Sequence, residues 1–396
     1  MAVLVPYKKT NTSIGSIESL CGTLGITQEE LARAIAMPLV MRYTTVEAQP
    51  KADGSVRSVS NPHFLIRKIQ RRLNKRIFSN GALIGWPDYI FGSIPNQFDA
   101  LGVEADKDYI ACAARHCGAK SILHLDVQSF FDNIHRTQVL AIFEDFLKYS
   151  EAVSDQLADI CCNGENLVQG ALTSSYLATL CLWDVEGEMV NRLNRKSLTY
   201  TRFVDDITIS SKVASYDFSY AQGIVQDMLA SKDLPINSGK TRVRRISSEA
   251  LTVHGLRVNF SQPRLPSDEV RRIRSSVQNV EKLAVESNYR QSHSYRKDFN
   301  RCMGRVNKLK RVGHKQHADL LKRLREILPL PSFKDIERAH LMVARLKDSY
   351  QAKGDSFWYR RRFYATHERL TILDRSFHAI AVKLRGELRL IRPSYD

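Results

Sequence analysis

Tyr200-Thr-Arg-Phe-Val-Asp-Asp-Ile-Thr-Ile-Ser210 decides how the chain is read, because two adjacent carboxylates, Asp205 and Asp206, interrupt a run that otherwise favours β-structure. Neighbouring aspartates depress strand propensity and repel each other, so a purely structural role costs stability without return. At the bend of a hairpin both carboxylates project near one point, where a divalent cation offsets their repulsion. The run is expected to form two short strands around an acidic turn. An Asp-Asp pair alone is a weak signal, since solvated turns contain many.

Upstream, Ile122-Leu-His-Leu-Asp-Val127 strengthens it: a second apolar strand with a single acid, Asp126. A carboxylate in a buried strand needs a partner. Beside the hairpin it completes a cluster of three, Asp126, Asp205 and Asp206, an oxygen-rich site suited to two Mg²⁺ ions, with Mn²⁺ as the alternative. One ion would activate an attacking hydroxyl and the other would stabilise a leaving pyrophosphate in an in-line displacement.

Charge supplies the substrate class. The 396 residues hold 59 Lys and Arg against 42 Asp and Glu, a net +17. From Asp268 onward there are about 30 basic against about 15 acidic residues, so nearly all the excess lies in the last third. A basic helical surface also serves solvation, but beside a metal cluster it points to a phosphoryl-transfer enzyme acting on nucleic acid. The 43% hydrophobic and 26% charged fractions exclude a disordered or fibrous chain. No apolar run reaches the roughly 18 to 20 residues of a membrane span, so a cytoplasmic protein without membrane association is expected. The seven scattered cysteines form no C-x-x-C pair and are expected as reduced thiols.

The flanks supply further elements. Ser16 to Cys21 reads as a helix, and Thr27-Gln-Glu-Glu30 is a capping box before Leu31, Ala32, Ile35 and Ala36. The pair reads as a small docking bundle rather than a DNA-reading motif, since the second helix carries one basic residue, Arg33. Tyr43-Thr-Thr-Val and Val56-Arg-Ser-Val flank the turn Pro50-Lys-Ala-Asp-Gly54 as a hairpin. Pro62 opens a helix with Leu65, Ile69 and Leu73 inward, leaving Arg67, Lys68, Arg71, Arg72, Lys75 and Arg76 as a candidate phosphate-contacting face. Residues 77–121 are irregular. Val139 to Leu147 and Val153 to Cys161 read as helices, Leu177 to Leu193 as one long helix, Tyr216 to Leu229 as helix and Leu251 to Asn259 as a hairpin. Beyond Pro266 all is helical, with breaks near Gly313, Pro329 to Pro331 and Gly354.

These residues resemble the motifs of reverse transcriptases. Leu125-Asp-Val-Gln-Ser-Phe-Phe-Asp-Asn-Ile134 resembles motif A, Gln169-Gly-Ala-Leu-Thr-Ser-Ser175 motif B, and Phe203-Val-Asp-Asp206 motif C. Asn237-Ser-Gly-Lys-Thr241 resembles motif D, and Val253-His-Gly-Leu256 the primer grip, motif E. With Leu24-Gly-Ile-Thr, the Asp53-Gly-Ser-Val-Arg57 turn, Pro62 and Ile69-Gln70, the front of the chain is similar to bacterial retron-type and defence-associated enzymes. Departures are Leu172 and Ser175 where prolines are common, Cys112-Ala-Ala-Arg-His116 in place of Asn-Ala-x-x-His, and Val253-His-Gly in place of Val-Thr-Gly. No DNA-cleaving module is visible.

The resemblance implies an α+β right-hand polymerase with a ferredoxin-like palm sheet: N-terminal helices and fingers over 1–120, palm over 121–260, basic helical thumb and extension over 261–396. It implies that Asp126, Asp205 and Asp206 bind the metals and Lys240 neutralises or protonates the leaving pyrophosphate. Arg57 would contact the triphosphate, Gln169 line the nucleotide pocket, and Phe131 exclude a 2′-hydroxyl. Gly255 falls in the primer grip. For Phe131 plain core, and for Lys240 and Arg57 solvated charges, remain open. His116 and His254 read as local hydrogen-bonding residues.

Arg271, Arg272, Arg274, Lys308, Lys310 and Arg311, with Lys322 and Arg323, are expected to track a phosphate backbone. In Phe357-Trp-Tyr-Arg-Arg-Arg-Phe-Tyr364 stacking on unpaired bases and inward packing are both open. The expected activity is RNA-directed DNA synthesis from dNTPs, extending a DNA or RNA primer on a non-coding RNA into a cDNA, in antiphage defence. The alternatives are an RNA-binding scaffold with a vestigial site and a template-independent or protein-primed polymerase. A homo-oligomer or an effector protein is left open.

Overall fold

Five strands form the sheet that carries the acidic residues, in the order Arg242–Arg245, Ser121–Asp126, Asp206–Ser211, Thr199–Phe203 and Ile90–Phe91. The first four pair antiparallel and the last joins parallel. Alternation along a strand divides the two faces. Leu123, Leu125, Ile207 and Ile209 enter the main core, while His124 and Asp126 stand opposite Thr208 and Asp206 on the other face. That face stays polar because hydrogen-bonding groups cover it. Buried His116, at the end of helix Tyr109–Arg115, bonds Ser210 Oγ and Thr201 Oγ1, both at 2.7 Å.

The computed structural model describes residues 4–46, 59–98 and 102–394, in two compact units, Met1–Arg264 and Leu265–Asp396. Within the first unit one core joins the N-terminal helices (Leu20, Leu24), the helix Phe64–Leu73 (Ile66, Ile69, Leu73) and the sheet. Helix Gln28–Ile35 starts at the expected capping box, with Thr27 Oγ1 accepting from Glu30 N and Glu30 Oε2 from Thr27 N.

Four expectations are corrected. Tyr43–Val46 pairs with Val59–Pro62, which shares Val59 with the expected strand and runs on to Pro62; the register is closed by His63 N donating to Arg42 O. The turn and Arg57 lie outside the described residues. Leu177 to Leu193 is two helices, Ser174–Leu180 and Glu186–Arg195; buried Arg202 bonds on either side of the break, with the Thr179 carbonyl and the Glu186 carboxylate as acceptors. Residues 77–121 hold the helix Tyr109–Arg115 and the edge strand Ile90–Phe91, too short for periodicity to reveal. The basic face after Pro62 is partly spent within the protein: Lys68 pairs with Glu30 and Arg76 donates to Thr23 O.

The second unit is helical: Ser267–Val285, His293–Arg311, His317–Glu326, Phe333–Lys353, Phe357–Leu373 and His378–Arg389. Val270, Ile273, Val277 and Val280 recur at helical spacing along the buried stripe of the first helix. The last three helices share a core of their own, including Val343, Phe363 and Leu384. In the aromatic segment inward packing holds for part of the run. Tyr359 and Phe363 pack inward, whereas Trp358 and Tyr364 are 61% and 56% exposed, beside Arg361 and Arg360. All seven cysteines are free. Among the described residues, no helix is long and apolar enough to cross a membrane.

Candidate active site

The acidic turn is a two-residue connection: Phe203 pairs with Asp206, leaving Val204 and Asp205 at the bend. Asp206 then stands directly across from Asp126 in the central antiparallel pair, and Asp205 O accepts from Val127 N. Strand pairing thus gathers carboxylates that are 80 residues apart in the chain.

Their electrostatics follow from this crowding. Burial, then the negative charges of Asp205 and Asp126, push the Asp206 carboxyl up to about 6, against an opposing pull from Lys240. Asp126 Oδ2 accepts from Lys240 Nζ at 3.0 Å and from Asn237 Nδ2 at 3.3 Å. Asn237 N also donates to Asp126 O. His254 Nδ1 lies 3.5 Å from Asp206 Oδ2 and its Nε2 meets Cys112 Sγ at 3.3 Å. Burial lowers the His254 pKa, so its ring is neutral at pH 7 and acts as a hydrogen-bonding group.

A cleft of about 330 Å³ opens over this face, lined by Asp126, Asp206, Lys240, Arg242, Arg244, Thr252 and His254, with His124 and Leu125. Among the described residues, no three Asp, Glu, His or Cys side chains form a ready-made metal cage. Mg²⁺ is commonly held by one or two carboxylates plus substrate phosphates, so the fit of the site is judged by its carboxylates. The Asp126 and Asp206 carboxylates are oxygen donors of the kind such an ion takes, while Lys240, Arg242 and Arg244 suit the anionic phosphates that would accompany it.

The other predicted residues fall as follows. Phe131 lies in the short helix Phe130–Asn133; Phe130 is buried, while Phe131 rests against the core with part of its ring open. Gln169 is held by its backbone, its carbonyl accepting from Ser60 N at 2.8 Å. Leu172, where prolines are common in the related motif, uses the N–H that proline lacks: it donates to Gln70 Oε1 at 3.0 Å, and Leu172 O accepts from Asn74 Nδ2. These bonds fix the loop in place of a ring. His254 and Gly255 both have positive φ at the tip of the Thr252–Val253 and Leu256–Arg257 hairpin, a two-residue turn that favours glycine at its second position.

Arg271, Arg272, Arg274, Lys308, Lys310 and Arg311 are exposed on two helices of the second unit. Arg272 is engaged by Asp268 and Lys308 by Glu269, while Arg323 is spent on Glu281. Sequence reading missed Asn237, Arg242 and Arg244. Asn237 was visible in the motif D resemblance; the two arginines carry no local signal.

A helix-backed sheet with an acidic hairpin facing a basic cleft is the palm of a nucleic-acid polymerase. In agreement, a family profile described as reverse transcriptase (RNA-dependent DNA polymerase) matches residues 49–281. The Retron Ec48 reverse transcriptase of Escherichia coli is 48% identical over 373 residues, covering 94% of this chain and 90% of that one. The Retron Se72 reverse transcriptase of Salmonella heidelberg is 30% identical, covering 84% of each. The chain belongs to the retron reverse transcriptases and is an RNA-directed DNA polymerase of the α+β right-hand class. Telomerase structures from Candida albicans and Candida tropicalis, each bearing a fragment of telomeric RNA, overlap at TM-scores of 0.30 and 0.39 and 10% identity; they cover 68% and 88% of this chain, which spans 49% and 65% of theirs.

Proposed function

We propose that this enzyme extends a primer on a non-coding RNA by two-metal nucleotidyl transfer, with Asp126, Asp205 and Asp206 as the metal-binding residues. The observation that carries this reading is the pairing of Asp126 with Asp206 across the central strands, with Asp205 at the adjoining turn. When bound, divalent ions, Mg²⁺ or Mn²⁺, supply activation of the primer hydroxyl and neutralisation of the departing pyrophosphate. Lys240 neutralises or protonates that pyrophosphate, a role supported by its Nζ lying 3.0 Å from Asp126 Oδ2. Asn237 holds Asp126 in orientation.

Phe131 presents a ring edge as the filter against ribonucleotides, and Gln169 lines the dNTP pocket from a loop pinned by Gln70 and Asn74. Arg57 is assigned to the triphosphate on the resemblance alone. The hairpin at Gly255 supports the primer end. Arg271, Arg272, Arg274, Lys308, Lys310 and Arg311 hold the RNA template and cDNA product. The cytoplasm and antiphage defence complete the proposal by family analogy. The test is incorporation of labelled deoxynucleotides on an RNA template, in Mg²⁺ or Mn²⁺, by the wild type and Asp205→Asn. Incorporation by the wild type and its loss in the variant are expected; equal incorporation by both would remove the carboxylate cluster from the chemistry.

A further inference from the structure

Arg202 and Glu186 are both wholly buried. Arg202 pairs with Ile207 in the hairpin, which places it on the face of the sheet opposite Asp206, and neither residue lines the cleft. A buried ion pair is a poor stabiliser, since apolar side chains of similar volume serve as well or better. Its contacts suit another use. Arg202 Nε and Nη2 meet Glu186 Oε1 and Oε2 at 2.5 and 2.7 Å. Tyr200 OH donates to the same Glu186 Oε1 at 2.8 Å, so the acid is clamped from two sides.

With its carboxylate partner fixed, the guanidinium spends its remaining reach on two carbonyls. Nη2 donates to Thr179 O at 2.8 Å, near the end of the helix that begins at Ser174. Nη1 donates to Val204 O at 3.2 Å. Val204 immediately precedes Asp205 and has φ +60°, the left-handed region that a β-branched residue avoids. Such a conformation persists only where its surroundings over-determine it. One side chain therefore joins the strained acidic turn to the helix that follows the Gln169 to Ser175 loop.

We propose that Arg202, seated by Glu186, is a positioning residue for catalysis: by holding the Val204 carbonyl it keeps the Asp205 and Asp206 carboxylates in place to bind metal opposite Asp126. This rests on the reading of the three aspartates as metal-binding residues.

Two variants separate positioning from folding. Arg202→Lys keeps the charge beside Glu186 but loses the planar fork that reaches several acceptors at once. The pair Arg202→Met with Glu186→Gln removes both charges, fills similar volume and leaves Tyr200 an acceptor. Each is measured for melting temperature, for kcat and dNTP KM on a primed RNA template, and, with a chain-terminated primer and no turnover, for Mn²⁺ binding by electron paramagnetic resonance. The expected result is a kcat lower by about tenfold to a hundredfold, the cost of a misplacement near 1 Å. Mn²⁺ binding weakens alongside, while KM and the melting temperature of the double variant stay near wild type. A folded double variant with wild-type kcat and Mn²⁺ binding overturns the proposal. If Asp205→Asn retains both activity and Mn²⁺ binding, the metal-site reading fails first and the positioning role with it.

Discussion

Gly170→Ala is a severe test of how the loop from Gln169 to Ser175 is built. Gly170 has φ +110°, and a Cβ placed there would stand 2.2 Å from Ser60 O and 3.0 Å from Val59 Cγ1. Real Cβ contacts stop near 3.0 Å, so strand Val59–Pro62 and the loop must separate by about 0.8 Å, the difference between 3.0 and 2.2 Å. The bond from Ser60 N to Gln169 O, now 2.8 Å, would then stretch towards about 3.6 Å and cease to be a hydrogen bond. Forcing a side chain into that backbone region costs about 1–3 kcal/mol and losing the bond about 1 kcal/mol, so the substitution destabilises by about 2–4 kcal/mol. Where the loop yields instead of the strand, Gln169 shifts and the dNTP KM rises, by about tenfold or more. Urea unfolding followed by tryptophan fluorescence, with dNTP KM on a primed RNA, reads both routes. Gly223→Ala is the control: it lies in helix Ser219–Ala230 with nothing within 4 Å, and gains about 0.5–1 kcal/mol. A Gly170→Ala enzyme with unchanged urea midpoint and unchanged KM would refute the reasoning.

Phe131→Ala should admit ribonucleotides, measured as the ratio of rNTP to dNTP incorporation; an unchanged ratio assigns the ring to packing alone. Asp206 is held up at about 6 in the absence of metal, against 3.8 for the unperturbed group, so its ionised form opposes folding above pH 6 and that penalty fades as pH falls from 6 towards 4. A proton competes with metal for the same carboxylate, so Mn²⁺ affinity should fall as pH drops from about 7 to 5.5; a flat profile would contradict the crowding of the three acids. Arg271→Gln with Arg274→Gln should weaken duplex binding at every sequence and reduce the slope of log K against log salt by about 2, one for each phosphate left without its arginine. An unchanged slope would move the duplex elsewhere.

Much of the site was legible because its signals are local or ordered along the chain. The capping box at Thr27 and Glu30, the acidic interruption at Asp205 and Asp206, and the lone acid in a buried strand at Asp126 need only short-range propensity and pattern. Val270, Ile273, Val277 and Val280 announce their helix by spacing alone. Partial legibility begins where one segment serves two environments: Phe357 to Tyr364 sends Tyr359 and Phe363 into the core and leaves Trp358 and Tyr364 outside. A nearly uniform aromatic and basic pattern contains no such division.

The sequence by itself determined the acidic hairpin, the strand that carries Asp126, the motif order and the basic helical unit, since residue type and spacing within a few positions decide strands, caps and amphipathic faces. Only the tertiary structure decided that Leu172 gives its N–H to Gln70, that His254 meets Asp206, and that Arg202 reaches the Thr179 carbonyl and the Glu186 carboxylate. These bonds pair groups from separate elements, up to 102 positions apart for Gln70 and Leu172. A buried donor takes whichever acceptor the packed chain brings within about 3 Å, and which acceptor that is becomes fixed only when sheet, helices and loops are docked together.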